Sequence, residues 1–312
     1  MSDTGNKNFI GLEIGGTKLQ LVCADVSLNI DKQLSLEVIK EDGAKGIQQQ
    51  IKEGIQKIKG HKKPAAIGVG FGGPVNYKTG KISVSHQIEG WEDFNLQQWL
   101  QELTGVPVFI DNDANVAALG EAVHGAGAAY EIVFYMTIGS GIGGGMVVNK
   151  KIYHGAYPGE VEVGHLRLNK QGDTLESECS GWAVDKKIRT AIAQPESMLA
   201  KLVGDVTKGE AKFLQEAIGK GDGKAKEILH ETAGNLAFAL SHVVHLFHPE
   251  IIIIGGGLSL LSEYLSDEIT LALPKYVMRA FLPPPKIKIA SLGKNVVPIG
   301  ALELARSSAL VS

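Results

Sequence analysis

Glycine is concentrated where apolar runs end. Four short segments, 11–16, 68–73, 139–145 and 255–257, hold 15 glycines in 22 residues, while the other 290 residues hold only 24. That remainder is about 8% glycine, close to the roughly 7% of an average soluble chain. Each cluster follows or interrupts a strand-like run: Phe9–Ile14, Ala65–Phe71, Ile132–Ile138 and Ile251–Ile254. Residues without a Cβ let the chain turn sharply at a strand end and let backbone N–H groups converge on an anion. A collagen-like repeat and an unpunctuated Gly/Pro/Ser tract are both absent, so the excess belongs to a folded chain with special turns.

The spacing of apolar residues predicts the elements between these clusters. Phe9–Ile14 breaks at Gly15 and Gly16 and resumes as alternating Leu19, Leu21 and Cys23, the pattern of a β-hairpin with a glycine turn. A third strand is expected over Ile30–Ile39, and Ile47, Ile51, Ile55 and Ile58 recur at helical spacing. A buried-type strand over Ala65–Phe71, a helix around Leu96, Leu100 and Leu103, and a strand over Val106–Ile110 complete an α/β order. The second half repeats the plan: Ile132–Ile138, a glycine cluster and Met146–Val148 read as strand, turn and strand. A long helix from Lys224 to Phe247 leads to the strand Ile251–Ile254, a last strand follows over Lys286–Ala290, and a final helix over Pro298–Leu310 is placed against the first domain. Two such halves predict duplicated α/β domains around a cleft, 1–116 plus 298–312 and 117–297, with the crossing in a helix near Asn112–Glu121.

Charge and cysteine content narrow the partners. The 312 residues carry 31 Lys plus Arg against 34 Asp plus Glu, a net charge of −3, which leaves no basic footprint for nucleic acid or an anionic membrane. No apolar run approaches the roughly 18 residues of a membrane span. Two cysteines, Cys23 and Cys179, make no disulfide framework, and the polar start MSDTGNKN is no signal peptide. A cytoplasmic protein acting on a small molecule is expected.

Several segments carry chemistry. Gly15-Gly16-Thr17-Lys18 and Gly139-Ser140-Gly141-Ile142-Gly143 are both strand-end turns, and two of them in matching positions suit a polyphosphate. Neither has the Gly-x-x-x-x-Gly-Lys-Ser/Thr spacing of a P-loop. Asp111-Asn112-Asp113-Ala114-Asn115 follows a strand and opens a helix, where one Asp or Asn serves as an N-cap and a second carboxylate is left to accept a proton from a substrate hydroxyl. Glu160, Glu162 and His165 follow the second hairpin, with Glu176 beyond; taken alone they read as solvated loop residues. His242, His245 and His248 are spaced three apart at a helix end and read as structural, since metal-binding helices pair ligands at i and i+4. Cys23 reads as core.

Taken together the segments resemble the ROK family, sugar kinases and related repressors of the actin, hexokinase and Hsp70 superfamily. The resemblance rests on GLEIGGTK at 11–18, GFGGPVN at 70–76, IDNDANVAALGEA at 110–122, TIGSGIGGGMV at 137–147, EVGH at 162–165, LESECSG at 175–181 and IIIIGGGLS at 251–259, in family order over nearly the whole chain. It implies two ribonuclease H-like (actin-like ATPase) domains flanking a central cleft, and ATP-dependent phosphorylation of a hexose on its 6-hydroxyl with Mg2+. By the same resemblance Asp113 is the general base, and Asn112, Glu162, His165 and Glu176, with Gly73 and His86, line the sugar. Glu13, Gly15, Gly16, Thr17, Lys18, Thr137, Gly139, Ser140 and Gly141 meet the phosphates and magnesium, and Gly255, Gly256 and Gly257 form the turn beside adenine. A homodimer is also implied.

The chain departs from the family pattern in two places. Glu13 stands where the first motif has aspartate, supplying the same charge through one more methylene. Many members bind zinc through the histidine of Glu-x-Gly-His and three cysteines, but here only ten residues separate His165 from Glu176, and Cys179 lies beyond them. The zinc loop reads as deleted, and a site without structural zinc is expected. Glucose is the leading substrate, ahead of N-acetylglucosamine, N-acetylmannosamine, mannose and fructose. A sugar-sensing regulator is disfavoured because the first strand starts near Phe9 with no DNA-binding module before it, and a dead sugar binder because Asp113 is retained.

Overall fold

In the computed structural model, which describes residues 7–60, 63–83, 88–156, 161–192 and 197–311, the first glycine turn joins β1 (Phe9–Ile14) to β2 (Lys18–Ala24), paired antiparallel with Ile14 opposite Leu19. Then come β3 (Ile30–Glu37), α1 (Gly43–Lys59), β4 (Ala66–Phe71), the short hairpin β5 (Val75–Asn76) and β6 (Lys81–Ile82), α2 (Leu96–Thr104), β7 (Val108–Asn112) and α3 (Asp113–His124). They continue with β8 (Ile132–Ile138), β9 (Ile142–Val148), β10 (Lys151–Ile152), α4 (Leu175–Cys179), α5 (Gly181–Ala191), α6 (Met198–Val203), α7 (Leu214–Gly219), α8 (Gly223–Phe247), β11 (Ile251–Gly255), α9 (Ser262–Ala272), β12 (Lys286–Ile289) and α10 (Val296–Val311). The chain packs as two compact units. One comprises Met1–Ala128, Gly145–Val161 and Leu292–Ser312, the other Ala129–Gly144 and Glu162–Ser291.

In the first unit a five-stranded sheet has the order β3-β2-β1-β4-β7, with β1, β4 and β7 parallel. The register sets Ile14 beside Phe71 and Phe71 beside Asn112. Three parallel strands therefore end level, which brings the Gly15 turn, Gly72 and Asp113 to one edge, the edge where open α/β sheets bind ligands. One face of the sheet is covered by α1, whose Ile47, Ile51, Ile55 and Ile58 are all buried. Each contributes about 1.5–3 kcal/mol on burial.

The other face is covered by α3 and α10, and here glycine has a use that the sequence pattern does not show. A Cβ on Gly11 would stand 2.5 Å from the Pro298 carbonyl oxygen, one on Gly70 2.5 Å from Val297, and one on Gly120 2.8 Å from the Val296 carbonyl oxygen. Gly11, Gly68 and Gly70 thus lie inside strands and let α10 approach the sheet; within the second and first clusters only Gly72, Gly73, Gly15 and Gly16 belong to turns. Likewise Gly143, Gly144 and Gly145 fall within β9, so the expected long turn after β8 shrinks to 139–141. The helix at 112–121, expected to cross between domains, belongs wholly to the first unit as α3.

The second sheet has the order β10-β9-β8-β11-β12, with β8, β11 and β12 parallel and Ile251–Ile254 wholly buried between. Gly255 pairs with Thr137, so the turn after β8 and the Gly256-Gly257 turn after β11 emerge side by side. Gly256 has φ +83, and a Cβ there would meet the Ile138 carbonyl oxygen at 2.5 Å, so this position accepts no other residue without strain. His242 packs edge-on against Phe238, His245 accepts the Met278 amide at 3.1 Å and His248 stacks on Phe281.

Candidate active site

In the first unit the Gly15 turn is closed by its own backbone. The Gly15 amide donates to the Lys18 carbonyl at 3.0 Å, whereas the amides of Gly16 and Thr17 have no hydrogen bond among the described residues. These two are the donors available to an anion. Below them Glu13 lies in β1 with its Oε2 buried, 3.2 Å from the Lys18 ammonium in a charge contact without an aligned hydrogen bond. Burial pushes the Glu13 carboxyl above its ordinary value, and Lys18 offsets this only in part.

Asn112 is the N-cap of α3. Its Oδ1 accepts the Ala114 amide at 2.9 Å and the Asn115 amide at 3.3 Å, and its Nδ2 donates to the Gly73 carbonyl at 3.2 Å. Capping and the expected sugar contact therefore compete for the same side chain, and only the second hydrogen on Nδ2 is left for a sugar hydroxyl. Asp113 is the first helical residue, with its carboxylate against Gly72, where a Cβ would stand 3.3 Å from Oδ2. Gly72 is held by its amide to the Ile14 carbonyl at 2.8 Å. The structure thus brings Gly73, Asn112 and Asp113 together at the strand ends. His86, also expected at the sugar, and Glu160 lie outside the described residues.

In the second unit three separate segments meet at Ile142. The Glu176 Oε2 accepts the Ile142 amide at 2.8 Å, and a Cβ on Gly141 would stand 2.6 Å from the same oxygen. Gly164, between Glu162 and His165, packs on the Ile142 backbone so closely that a Cβ would overlap its carbonyl oxygen. Val163–His165 forms a single tight helical turn in which the His165 amide donates to the Glu162 carbonyl at 3.1 Å, and both side chains are exposed. The turn itself closes with the Gly139 amide on the Gly141 carbonyl at 2.9 Å, leaving the Ser140 and Gly141 amides without a hydrogen bond among the described residues.

Beside that turn opens a cavity of about 720 Å³ lined by Gly139, Ser140, Gly257 and Leu258 together with Trp182, Arg189, Lys208, Lys212 and Gln215. Its floor is pinned by Asp185, a buried carboxylate accepting the Gly209 amide at 3.1 Å and the Ala211 amide at 2.8 Å. The N-terminus of α5 abuts the turn, with the Gly181 amide donating to the Gly139 carbonyl at 2.7 Å. An exposed indole, three cations and an anion-suited turn fit a nucleotide in size and charge. None of these side chains stands out in the linear sequence except as a stripe on α5, where Gly181, Asp185 and Arg189 recur at i, i+4 and i+8. Cys179 is buried nearby; its thiol is pushed up to about 12, chiefly by burial, and donates to the Thr232 carbonyl at 3.6 Å.

The model of the ROK family matches residues 9–308. The chain belongs to the ROK family. This ROK protein is 31% identical over 307 residues to a glucokinase from Halalkalibacterium halodurans, covering 94% of this chain and 93% of that one. It is 29% identical over 305 residues to a glucokinase from Thermotoga maritima, covering 95% and 96% of the two. Among solved structures, the ROK family glucokinase from Streptomyces griseus in complex with glucose and AMPPNP superposes with a TM-score of 0.82 at 29% identity, over 96% of this chain and 99% of that one. The fold of this ROK protein is accordingly the mixed α/β, actin-like ATPase fold. Among its described residues no helix is long and apolar enough to cross a membrane.

Proposed function

We propose that this ROK protein is a glucokinase that transfers the γ-phosphoryl group of ATP to the 6-hydroxyl of glucose. The observation that carries the proposal is Asp113, a carboxylate at the head of α3 held beside Gly72 at the level ends of three parallel strands. Phosphoryl transfer asks a protein mainly for positioning and charge neutralisation. In this mechanism Asp113 accepts the proton of the 6-hydroxyl as that oxygen attacks phosphorus, a contribution of roughly 10² to 10⁴ in rate. Asn112, Gly73, Glu162, His165, Glu176 and His86 hold the sugar hydroxyls. The nucleotide occupies the cavity under Trp182, with phosphates received by Ser140, Gly141, Gly16, Thr17 and Lys18, and with Thr137, Gly255, Gly256 and Gly257 shaping the turns beside it.

Glu13 suits a divalent cation because its buried carboxylate is short of positive charge even beside Lys18. Glu13 is the residue that would hold Mg2+, which would supply charge neutralisation at the phosphates. No structural zinc takes part in this account, which the buried Cys179 supports, since its thiol is turned to the Thr232 carbonyl. Free buried thiols at Cys23 and Cys179 support a cytoplasmic address, where ATP is also at hand. Homodimerisation is supported by the exposed Leu246, Met278 and Leu282 around the end of α8, and light scattering would then read about twice the chain mass of 33.2 kDa.

The deciding experiment follows ADP release over a panel of hexoses with ATP as donor. Glucose is expected to give the highest kcat/KM, with N-acetylglucosamine, N-acetylmannosamine and fructose behind. A preference for an N-acetylhexosamine would overturn the sugar assignment while keeping the reaction.

A further inference from the structure

One buried carboxylate of the first unit has no part in the mechanism above, yet it sits next to the residues that do. Asp111 is 2% exposed and immediately precedes the cap Asn112. Its Oδ1 accepts the Asn112 amide at 2.8 Å and the Asn115 Nδ2 at 3.0 Å, and its Oδ2 lies 2.6 Å from His154 Nε2. A carboxylate at that distance requires the hydrogen of His154 on Nε2. The imidazole is clamped in turn: it stacks on the Tyr77 ring with centroids 3.6 Å apart and planes within 10°. Tyr77 follows the β5 strand that leaves Gly73 and Pro74, and His154 follows β10, so Asp111 and Tyr77, far apart in sequence, converge on one imidazole.

The bonds of Asp111 span the junction between β7 and α3. One oxygen fixes the backbone at Asn112 and the side chain of Asn115 in the first helical turn, and Asp113 lies between these two points. A buried carboxylate is tolerated only while its hydrogen bonds are complete. Removing the His154 contact therefore frees Asp111 to seek another partner and loosens the junction that carries Asp113. A shift of about 1 Å in a reacting group costs on the order of 10²-fold in rate.

We propose that His154, held by its stack on Tyr77, is a positioning residue for phosphoryl transfer: through Asp111 it fixes the strand-to-helix junction and so the reach of Asp113 toward the sugar hydroxyl. This rests on Asp113 being the base. His154 itself touches neither sugar nor phosphate in this scheme, so its loss lowers kcat while leaving nucleotide binding alone.

The test is a double-mutant cycle between His154→Ala and Asp113→Ala, with kcat and both KM values measured for each protein. His154→Ala alone is expected to lower kcat about tenfold to a hundredfold, with the KM for ATP within about threefold of wild type. In the Asp113→Ala background the same substitution is expected to change nothing further, because there is no base left to position. Tyr77→Phe, which keeps the stack, is expected to retain at least about tenfold more activity than Tyr77→Ala. Should His154→Ala fail to fold, His154→Phe, which keeps a ring on Tyr77 and has no N–H for Asp111, carries the same comparison. A wild-type kcat in folded His154→Ala would overturn the proposal and leave the base assignment standing. An equal loss in both backgrounds would overturn it too, since His154 would then act without Asp113. A normal rate in Asp113→Ala alone would overturn the base assignment and this proposal together.

Discussion

The Glu176 carboxylate holds the Ile142 amide at 2.8 Å, from the first turn of a short helix 34 residues further along the chain. The same oxygen leaves no room for a side chain at Gly141, so carboxylate and glycine turn are fitted to each other. One oxygen of Glu176 is thereby engaged in shaping the anion-suited turn, which leaves the other for the proposed sugar contact.

Glu176→Ala is expected to raise the KM for ATP about tenfold to a hundredfold, the worth of a hydrogen bond to a charged acceptor. Glu176→Gln keeps a carbonyl oxygen for the Ile142 amide and is expected to stay within about tenfold of the wild-type ATP KM while losing affinity for sugar. Gly141→Ala is expected to resemble Glu176→Ala, because its Cβ displaces the carboxylate. Steady-state kinetics on the three variants check this, and a Gly141→Ala enzyme with unchanged KM for ATP would show the fit to be irrelevant.

Glu13 makes stability and function oppose each other. Its carboxyl is raised by burial, so the folded protein takes up this proton more readily than the unfolded chain. Its share of stability is fully present below the ordinary carboxyl range and is lost as pH rises through the raised folded value. At neutral pH in EDTA, Glu13→Gln is expected to melt no lower than wild type, and its melting temperature is expected to vary less with pH around and above that range. In the assay the same variant is expected to lose about tenfold to a hundredfold in kcat/KM for MgATP. Thermal melts with and without Mg2+ together with the kinetics check both halves.

Glu303 behaves in the opposite sense. It is 4% exposed in α10 and accepts His124 Nε2 at 2.8 Å and Arg306 Nη2 at 2.8 Å, tying the last residue of α3 to α10. Burial works to raise its carboxyl, but the bonds from His124 and Arg306 outweigh burial and hold it below the ordinary 4.5. Its contribution is therefore present above that value and is lost as pH falls through the depressed folded one. Glu303→Gln is expected to cost about 1.5–3 kcal/mol at neutral pH, the worth of a hydrogen bond to a charged group, and to flatten the acid limb of the stability profile. Denaturant titrations at neutral pH and below 4.5 check it.

Much of the fold was legible because strand ends and helix starts leave local marks. The break at Gly15 and Gly16 between two apolar runs is β1, turn and β2, and the Asp-Asn-Asp after Ile110 opens α3 with Asn112 as its cap. Glycines inside strands were not separable from glycines in turns: Gly68 and Gly70 look like Gly72 and Gly73 until α10, more than 200 residues away in sequence, is seen against them. The cavity under Trp182 was illegible for a related reason. Its wall joins α5 to the 207–212 segment through the buried bonds of Asp185, and no spacing rule links those stretches. The contact from Asp111 to His154 spans 43 residues and is equally silent in the sequence, although Asp111 itself stood in plain view beside the cap.

If Asp113 is the base of an ATP-dependent glucose kinase, glucose-dependent ADP release separates wild type from Asp113→Asn. The substitution keeps the shape at the head of α3 and removes the proton acceptor. A folded variant with near wild-type glucose binding and kcat lower by about 10² to 10⁴ is expected. A variant that turns over at the wild-type rate, or a wild type that releases no ADP in response to glucose, would contradict it.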